Sequence, residues 1–208
     1  MSRYLGPKCR LCRREGVKIY LKGTRCDSPK CAMVRRPHPP GEHPWARKKQ
    51  SEYGQQLREK QKAKRKFAVY DLPFRRLFSD AERMKGNTGE NLLQLLERRI
   101  DNVVLLAGLA LSRYGARQTV VHGHIYLNGR RVRTPSIRLK VGDVLTIAPR
   151  EKSKNMTENV IGTTKSRMVP SWIEVDHNEM EAKIVALPKR DQVTIDIQEQ
   201  LIVEFCSK

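Results

Sequence analysis

A chain of 208 residues with 38% hydrophobic content is long enough for one large domain or two small ones, which excludes a wholly disordered polymer. Its 42 Lys and Arg against 22 Asp and Glu leave a net charge of +20, more than solubility requires, and such an excess points to a polyanionic partner, nucleic acid first. The longest apolar run, Val103 to Leu111 with Gly108 inside it, falls short of the roughly 20 residues that span a bilayer. No membrane segment is therefore expected, and with no apolar stretch ahead of the first cysteines no secretory signal is expected either, which places the chain in the cytoplasm.

The charge lies in two blocks. Residues 1–66 carry 20 basic and 5 acidic side chains and residues 98–154 carry 12 and 3, whereas the segments between and after them are close to neutral. Two blocks of one sign suggest two contact surfaces on one long anionic ligand.

The first block holds Cys9, Cys12, Cys26 and Cys31, a C-x-x-C pair followed after thirteen residues by a C-x-x-x-x-C pair. That is metal-ligand spacing, in which two thiolates face one ion from a tight knuckle and the loop brings the second pair round to complete a tetrahedron. Zinc is the default ion; four thiolates would equally hold an iron–sulfur cluster, and spacing does not decide between them. A disulfide framework is disfavoured in a reducing compartment, and a thioredoxin-like motif would not explain the second pair. Cys206, far away in an apolar run, reads as a buried thiol. Arg10, Arg13, Arg14 and Lys22 lie among the four cysteines and, fixed by the metal, would form a rigid charged surface, with Arg3 just ahead of them.

A linker follows, Arg35-Arg36-Pro-His-Pro-Pro-Gly-Glu-His-Pro44, whose prolines enforce an extended path; His38 and His43 read as solvent or RNA contacts. Ser51 is placed to cap a basic helix running to Lys66 that carries Arg58, Lys62 and Arg65, some of it no more than a solvated helix end. After Leu72-Pro73 the spacing of Phe74, Leu77, Phe78 and Ala81 predicts a helix, broken by Gly86-Asn87-Thr88-Gly89. From Glu90, the residues Leu92, Leu93, Leu95, Leu96, Ile100, Val103 and Val104 predict one continuous helix with a wide core face.

The second basic block opens with Ser112 as cap of a short helix stopped by Gly123. His124 to Leu127 alternates as a strand, Asn128-Gly129 is a hairpin turn, and Arg130 to Arg133 returns; Val141-Gly142-Asp143 turns the chain into a further strand from Val144. The result is a helix pair on an antiparallel sheet. Arg113, Arg117, Gln118, His122, His124, Arg130 and Arg131 would share one edge, with Asn128 at the turn, supplying donors for phosphate and side chains that reach ribose and bases.

The run SRYGARQTVVHGHIYLNGRRV resembles the helix–strand RNA-binding module of the bacterial small-subunit ribosomal protein four family, a module shared with some RNA-modifying enzymes and synthetases. MSRYLGPKCRLCRREGVKIYLKG, RRPHPPGEH, EYGQQLREKQKAKRKF, TGENLLQLLERRIDNVV and the terminal QEQLIVEF resemble the same family in order, so the likeness covers essentially the whole chain. Pro44, Gly115 and Cys206 depart from the family pattern.

The resemblance implies an α+β fold: a helical N-terminal domain with a zinc knuckle, plus an inserted helix-pair and antiparallel-sheet module. It divides the chain into residues 1–45, knuckle and linker; residues 46–97, helical scaffold completed by 196–208; and residues 98–195, the insert, with its RNA-binding module at about 98–154. It further implies binding to small-subunit ribosomal RNA at a junction of helices, nucleation of subunit assembly, contacts with neighbouring ribosomal proteins and with messenger RNA where it enters the subunit, and a part in translational accuracy. Two other classes compete. An RNA-modifying enzyme would need a catalytic domain for which too little chain remains, and a metal- or redox-sensing RNA-binding regulator would lean on the same four cysteines.

Overall fold

The computed structural model describes residues 4–43, 45, 49, 51–165, 167–193 and 197–207. In chain order its helices and strands run α1 (Lys8–Glu15), α2 (Ala32–Arg35), α3 (Glu52–Lys66), α4 (Asp71–Glu82), α5 (Thr88–Glu97), α6 (Ile100–Leu106) and α7 (Arg113–Val121). They continue as β1 (Ile125–Leu127), β2 (Arg130–Val132), β3 (Val144–Ile147), α8 (Glu151–Thr164), β4 (Ile173–Asp176), β5 (Glu181–Ile184) and α9 (Glu199–Cys206). Helices and an antiparallel sheet together make a mixed α+β architecture. The chain divides into two compact units, residues 1–92 with 195–208 and residues 93–194.

The first unit is helical. Its long basic helix α3 starts where the Ser51 hydroxyl accepts the Gly54 amide at 3.2 Å, satisfying one of the donors that a helix start leaves open. Helix α9 packs along α3, with the Tyr53 and Phe205 rings 5.3 Å apart and the Lys60 ammonium 4.9 Å above the Phe205 face. Gln56 donates to the Glu204 carboxylate at 3.0 Å, so the same seam has a polar clasp. Helix α4 begins at Asp71, ahead of the expected start, and takes Pro73 into its first turn. Nothing is lost there, because an amide in the first turn has no intrahelical acceptor to miss.

The continuous helix expected from Glu90 through Val104 is in fact two, α5 and α6, broken at Arg98 and Arg99. The apolar pattern was right, but the backbone leaves the helix to pair elsewhere. The Ile100 amide donates to the Ile137 carbonyl at 2.9 Å and the Leu139 amide to the Arg98 carbonyl at 2.8 Å, with Arg99 bridged to Arg138. Asn102 bonds the freed Glu97 carbonyl at 2.9 Å, and Arg98 Nε bonds the Leu139 carbonyl at 2.8 Å.

In the second unit five antiparallel strands pair in the order β2-β1-β3-β5-β4. The tight β1–β2 turn works because Asn128 and Gly129 both adopt positive φ, 49° and 77°, which suits a two-residue hairpin. Ile125 pairs with Val132 on one side and with Ile147 on the other, and Leu145 pairs with Ala182. The core gathers Ile100, Val103 and Val104 of α6, Ala116 and Val120 of α7, Leu139, Leu145, Ile184 and Trp172. Strands β4 and β5 and helix α8 were not foreseen. The positions that α8 buries are Ser153, Thr157, Ile161 and Thr164, so its inner face has no apolar repeat to read.

Truncating Leu145, which is fully buried, opens a void at the centre of this core. We expect Leu145→Ala to cost about 2–5 kcal/mol in urea unfolding followed by the fluorescence of buried Trp172.

Candidate nucleic-acid interface

In the first unit the Cys9 and Cys12 side chains come from α1, one turn apart on one face, rather than from the tight knuckle expected of a C-x-x-C pair. Cys26 ends a 3-10 turn at Gly23–Cys26, where its sulfur receives the Lys22 amide at 3.4 Å, and Cys31 opens α2. Cys12, Cys26 and Cys31 are buried and Cys9 is partly so. Burial pushes the Cys12 thiol up, and Cys26, Cys9 and Cys31 each push it further, which means the four sulfurs share one neighbourhood. Burial likewise raises Cys26. Among the described residues no group of three or more His, Cys, Asp or Glu has the geometry to hold a metal ion.

Arg10, Arg14, Lys22, Arg35 and Arg36 are exposed on this surface. Arg13 is turned inward: its Nε donates to the His38 carbonyl at 2.9 Å, pinning the proline-rich linker against α1. Arg58 and Arg65 flank the buried Glu15 carboxylate, Arg58 at 3.3 Å, and so tie α1 to α3. Burial raises the Glu15 carboxyl, while Arg65 and then Arg58 oppose the shift. Lys62 lies 3.3 Å from Glu59, and the expected contact Arg3 lies outside the described residues.

In the second unit α7 presents Gln118 and His122 to solvent, and Arg130 and Arg131 stand exposed on β2. Gly123 takes φ +71°, and a Cβ there would lie 2.4 Å from Arg131 Nε. Glycine thus lets the Arg131 guanidinium close over the turn, donating to the Gly123 and His122 carbonyls, each at 3.1 Å. His124 is half-buried with Nδ1 held 2.9 Å from the Ser153 hydroxyl, and its ring centroid is 6.1 Å from that of His122. Burial lowers the His124 imidazole, and the charges of His122, Arg150 and Arg131 lower it further.

Two of the expected contacts have partners inside the protein. Arg113 is only 6% exposed and donates to Asn102 Oδ1, so it is turned into an internal network with Asn102 and Glu97. A guanidinium opening a helix next to buried Asn102 is drawn in by that polar site, which no sequence spacing reveals. Asn128 is exposed, but both ends of its amide are used: it donates to Asp143 at 2.9 Å and accepts the Val144 amide at 2.9 Å, locking the hairpin to β3. Arg117 keeps partial exposure while donating to Asp101 at 3.1 Å. Residues missed from the sequence are Arg150 and Arg167; Arg150 acts on His124, and Arg167 donates to the Leu111 carbonyl at 2.9 Å. They flank α8, and without that helix nothing in the sequence places them here.

Asp101 organises the face from below. Arg99 donates to it through two nitrogens, at 3.0 and 2.8 Å, and Arg117 through a third. Gly115 sits in the first turn of α7, where its amide donates to the Ser112 hydroxyl at 3.2 Å.

Residues 3–97 match the Ribosomal protein S4/S9 N-terminal domain, and residues 98–145 match the S4 domain. The chain is 53% identical over all 208 residues to the small ribosomal subunit protein uS4 of Thermoanaerobacter sp. strain X514, and 53% identical to that of Caldicellulosiruptor bescii. It is 50% identical to the protein of that name from Heliobacterium modesticaldum; in each case the whole of both chains is covered.

Removing the Asp101 carboxylate strands Arg99, which is 3% exposed, without its charge partner. We expect Asp101→Ala to destabilise the second unit by about 3–5 kcal/mol in urea, again read through Trp172.

Proposed function

Because the chain belongs to the uS4 family of small ribosomal subunit proteins, we propose that it is a component of the small subunit that binds ribosomal RNA directly and early, nucleating assembly of the subunit body. It is a structural RNA-binding protein and not an enzyme. The observation that carries the reading is that cations stand on elements fixed by the fold on each unit taken by itself, the exposed Arg10 and Arg14 on α1, which Arg13 and Glu15 tie down, on one and Arg131 with Arg117 on the other. Fixed guanidinium groups suit phosphate and ribose contacts on folded RNA, where shape and single-stranded bases are read. The proposed contacts are the exposed Arg10, Arg14, Lys22, Arg35, Arg36, Gln118, His122, Arg130 and Arg131, with His124 and Arg117 at the edge. Contacts with neighbouring ribosomal proteins, with messenger RNA where it enters the subunit, and a part in translational accuracy follow from the family likeness and are proposed on that ground.

A structural metal centre is the finer part of the proposal. Cys9, Cys12, Cys26 and Cys31 would hold the ion. By residue type the donor set suits the ion, since four sulfurs in one neighbourhood are what a bound cation would draw together as thiolates, although among the described residues they do not stand in ligand geometry. Zinc would cross-link α1, the 3-10 turn and α2, elements too short to bury a core of their own; an iron–sulfur cluster is the second candidate.

Footprinting of the full chain on naked small-subunit ribosomal RNA, with affinity measured against salt, tests the first reading. We expect protection at a helical junction and a slope of log K of about −0.7 to −0.9 for each phosphate neutralised; a slope near zero would falsify the electrostatic basis. For the metal, Cys26→Ser or chelation should expose residues 1–34 to protease while leaving residues 98–154 resistant. One redox-inert zinc per chain by elemental analysis supports a structural ion, and a cluster that changes oxidation state moves the chain to the redox-regulator class.

A further inference from the structure

A cavity of about 300 Å³ opens on the second unit where the α6–α7 loop, one face of α7, the His122–His124 turn and α8 meet. That size lies at the lower end of small-molecule sites. Its floor is apolar, with Leu109 and Ala110 buried, and its rim carries the exposed Leu111 and Met156. Gly115, Gln118 and His122 line one wall, spaced three, four and seven residues apart so that they share one side of α7.

Gly115 stands in the first turn of α7 with an ordinary φ, and a Cβ there would lie 3.3 Å from the Ser112 hydroxyl that caps the helix, a close approach that glycine avoids. Glycine also leaves this part of the α7 wall without a side chain. The polar groups around the opening then match a nucleotide rather than an apolar peptide. None of the lining residues is acidic, Gln118 offers an amide donor and acceptor together, and the Ser153 contact at Nδ1 leaves His124 Nε2 for a ligand. Arg131 is held over Gly123 beside the two imidazoles, and Arg150 acts on the same His124 ring.

We propose that this pocket receives one unstacked base of the bound RNA, seated against the bare α7 wall at Gly115, with His122 and His124 as its aromatic neighbours and its phosphate facing Arg131 and Arg150. The inference rests on the ribosomal-RNA reading and deepens it: the pocket is where the second unit distinguishes an extruded base from continuous duplex. Single-stranded bases read this way stack on aromatic rings, imidazole included, and present their edges for hydrogen bonding.

The test uses the full chain and transcripts of small-subunit ribosomal RNA carrying one abasic residue at each unpaired position inside the footprint. For the unaltered protein we expect one position to lose roughly 5- to 150-fold in affinity, the range for losing one stacked base, with little change elsewhere. Gly115→Leu fills the cavity, so, where urea unfolding shows the variant folded, it should bind intact transcript with that same loss and lose nothing further at the sensitive position. Gly115→Ala should behave like the parent. His122→Ala removes an exposed ring without touching the core and should lose part of the same effect. If the parent binds intact transcript but no abasic position stands out, or if Gly115→Leu and His122→Ala both keep its affinity and abasic profile, the base pocket is overturned while the RNA-binding reading survives. If the parent does not bind the transcript at physiological ionic strength, both readings fall together.

Discussion

The carboxylate of Asp101 is the point on which the second unit depends. It receives two hydrogen bonds from Arg99 and one from Arg117, so a single buried anion fixes the start of α6 and orients a cation of α7. The same stretch must also surrender its helical hydrogen bonds, and Ile137 and Leu139 take them up. Three guanidinium groups collected at Arg99, Arg113 and Arg117 would repel one another in so confined a space without Asp101 and Glu97 as counter-charges. The positive surface is therefore underlain by a network in which buried carboxylates balance buried guanidinium groups, and the position of an outward cation such as Arg117 follows from how that inner charge is arranged.

The first unit solves a different problem. Its short helices bury few large side chains near the N-terminus, so α1 is held by specific polar ties: Glu15 to Arg58 and Arg65 of α3, and Arg13 to the linker carbonyls. Each tie consumes a cation that composition alone would assign to RNA. Small segments of this kind commonly recruit a metal to supply cohesion, and the sulfurs gathered from α1, the 3-10 turn and α2 are in keeping with that.

Much of this was legible in the residues. Ser51 and Ser112 mark helix starts by a local rule, and Asn128-Gly129 marks its turn by another, so all three appear where expected. The break after Glu97 was not legible, because the competing partners Ile137 and Leu139 lie some forty residues away and the apolar spacing runs on unbroken. Helix α8 was hidden because buried hydroxyls replace an apolar stripe: Thr157 donates to the Ser153 carbonyl at 2.9 Å, and Thr164 reaches the Gly108 carbonyl at 2.7 Å. For the candidate site, residue type identified the cations but not their allegiance. Arg113 and Arg131 look alike in sequence, and only tertiary context sends one inward and leaves the other on the surface.

The closure of Arg131 over the glycine turn has a thermodynamic consequence. An arginine waving in solvent must surrender rotamer freedom when an anion arrives, a penalty set against every contact it makes. Here the chain has already spent that freedom in reaching its native state, because the two carbonyls at the end of α7 hold the guanidinium in place and gain a favourable charge at the negative pole of the helix. The side chain thus closes the end of α7 with its guanidinium already ordered, and that ordering belongs to folding instead of to any later encounter.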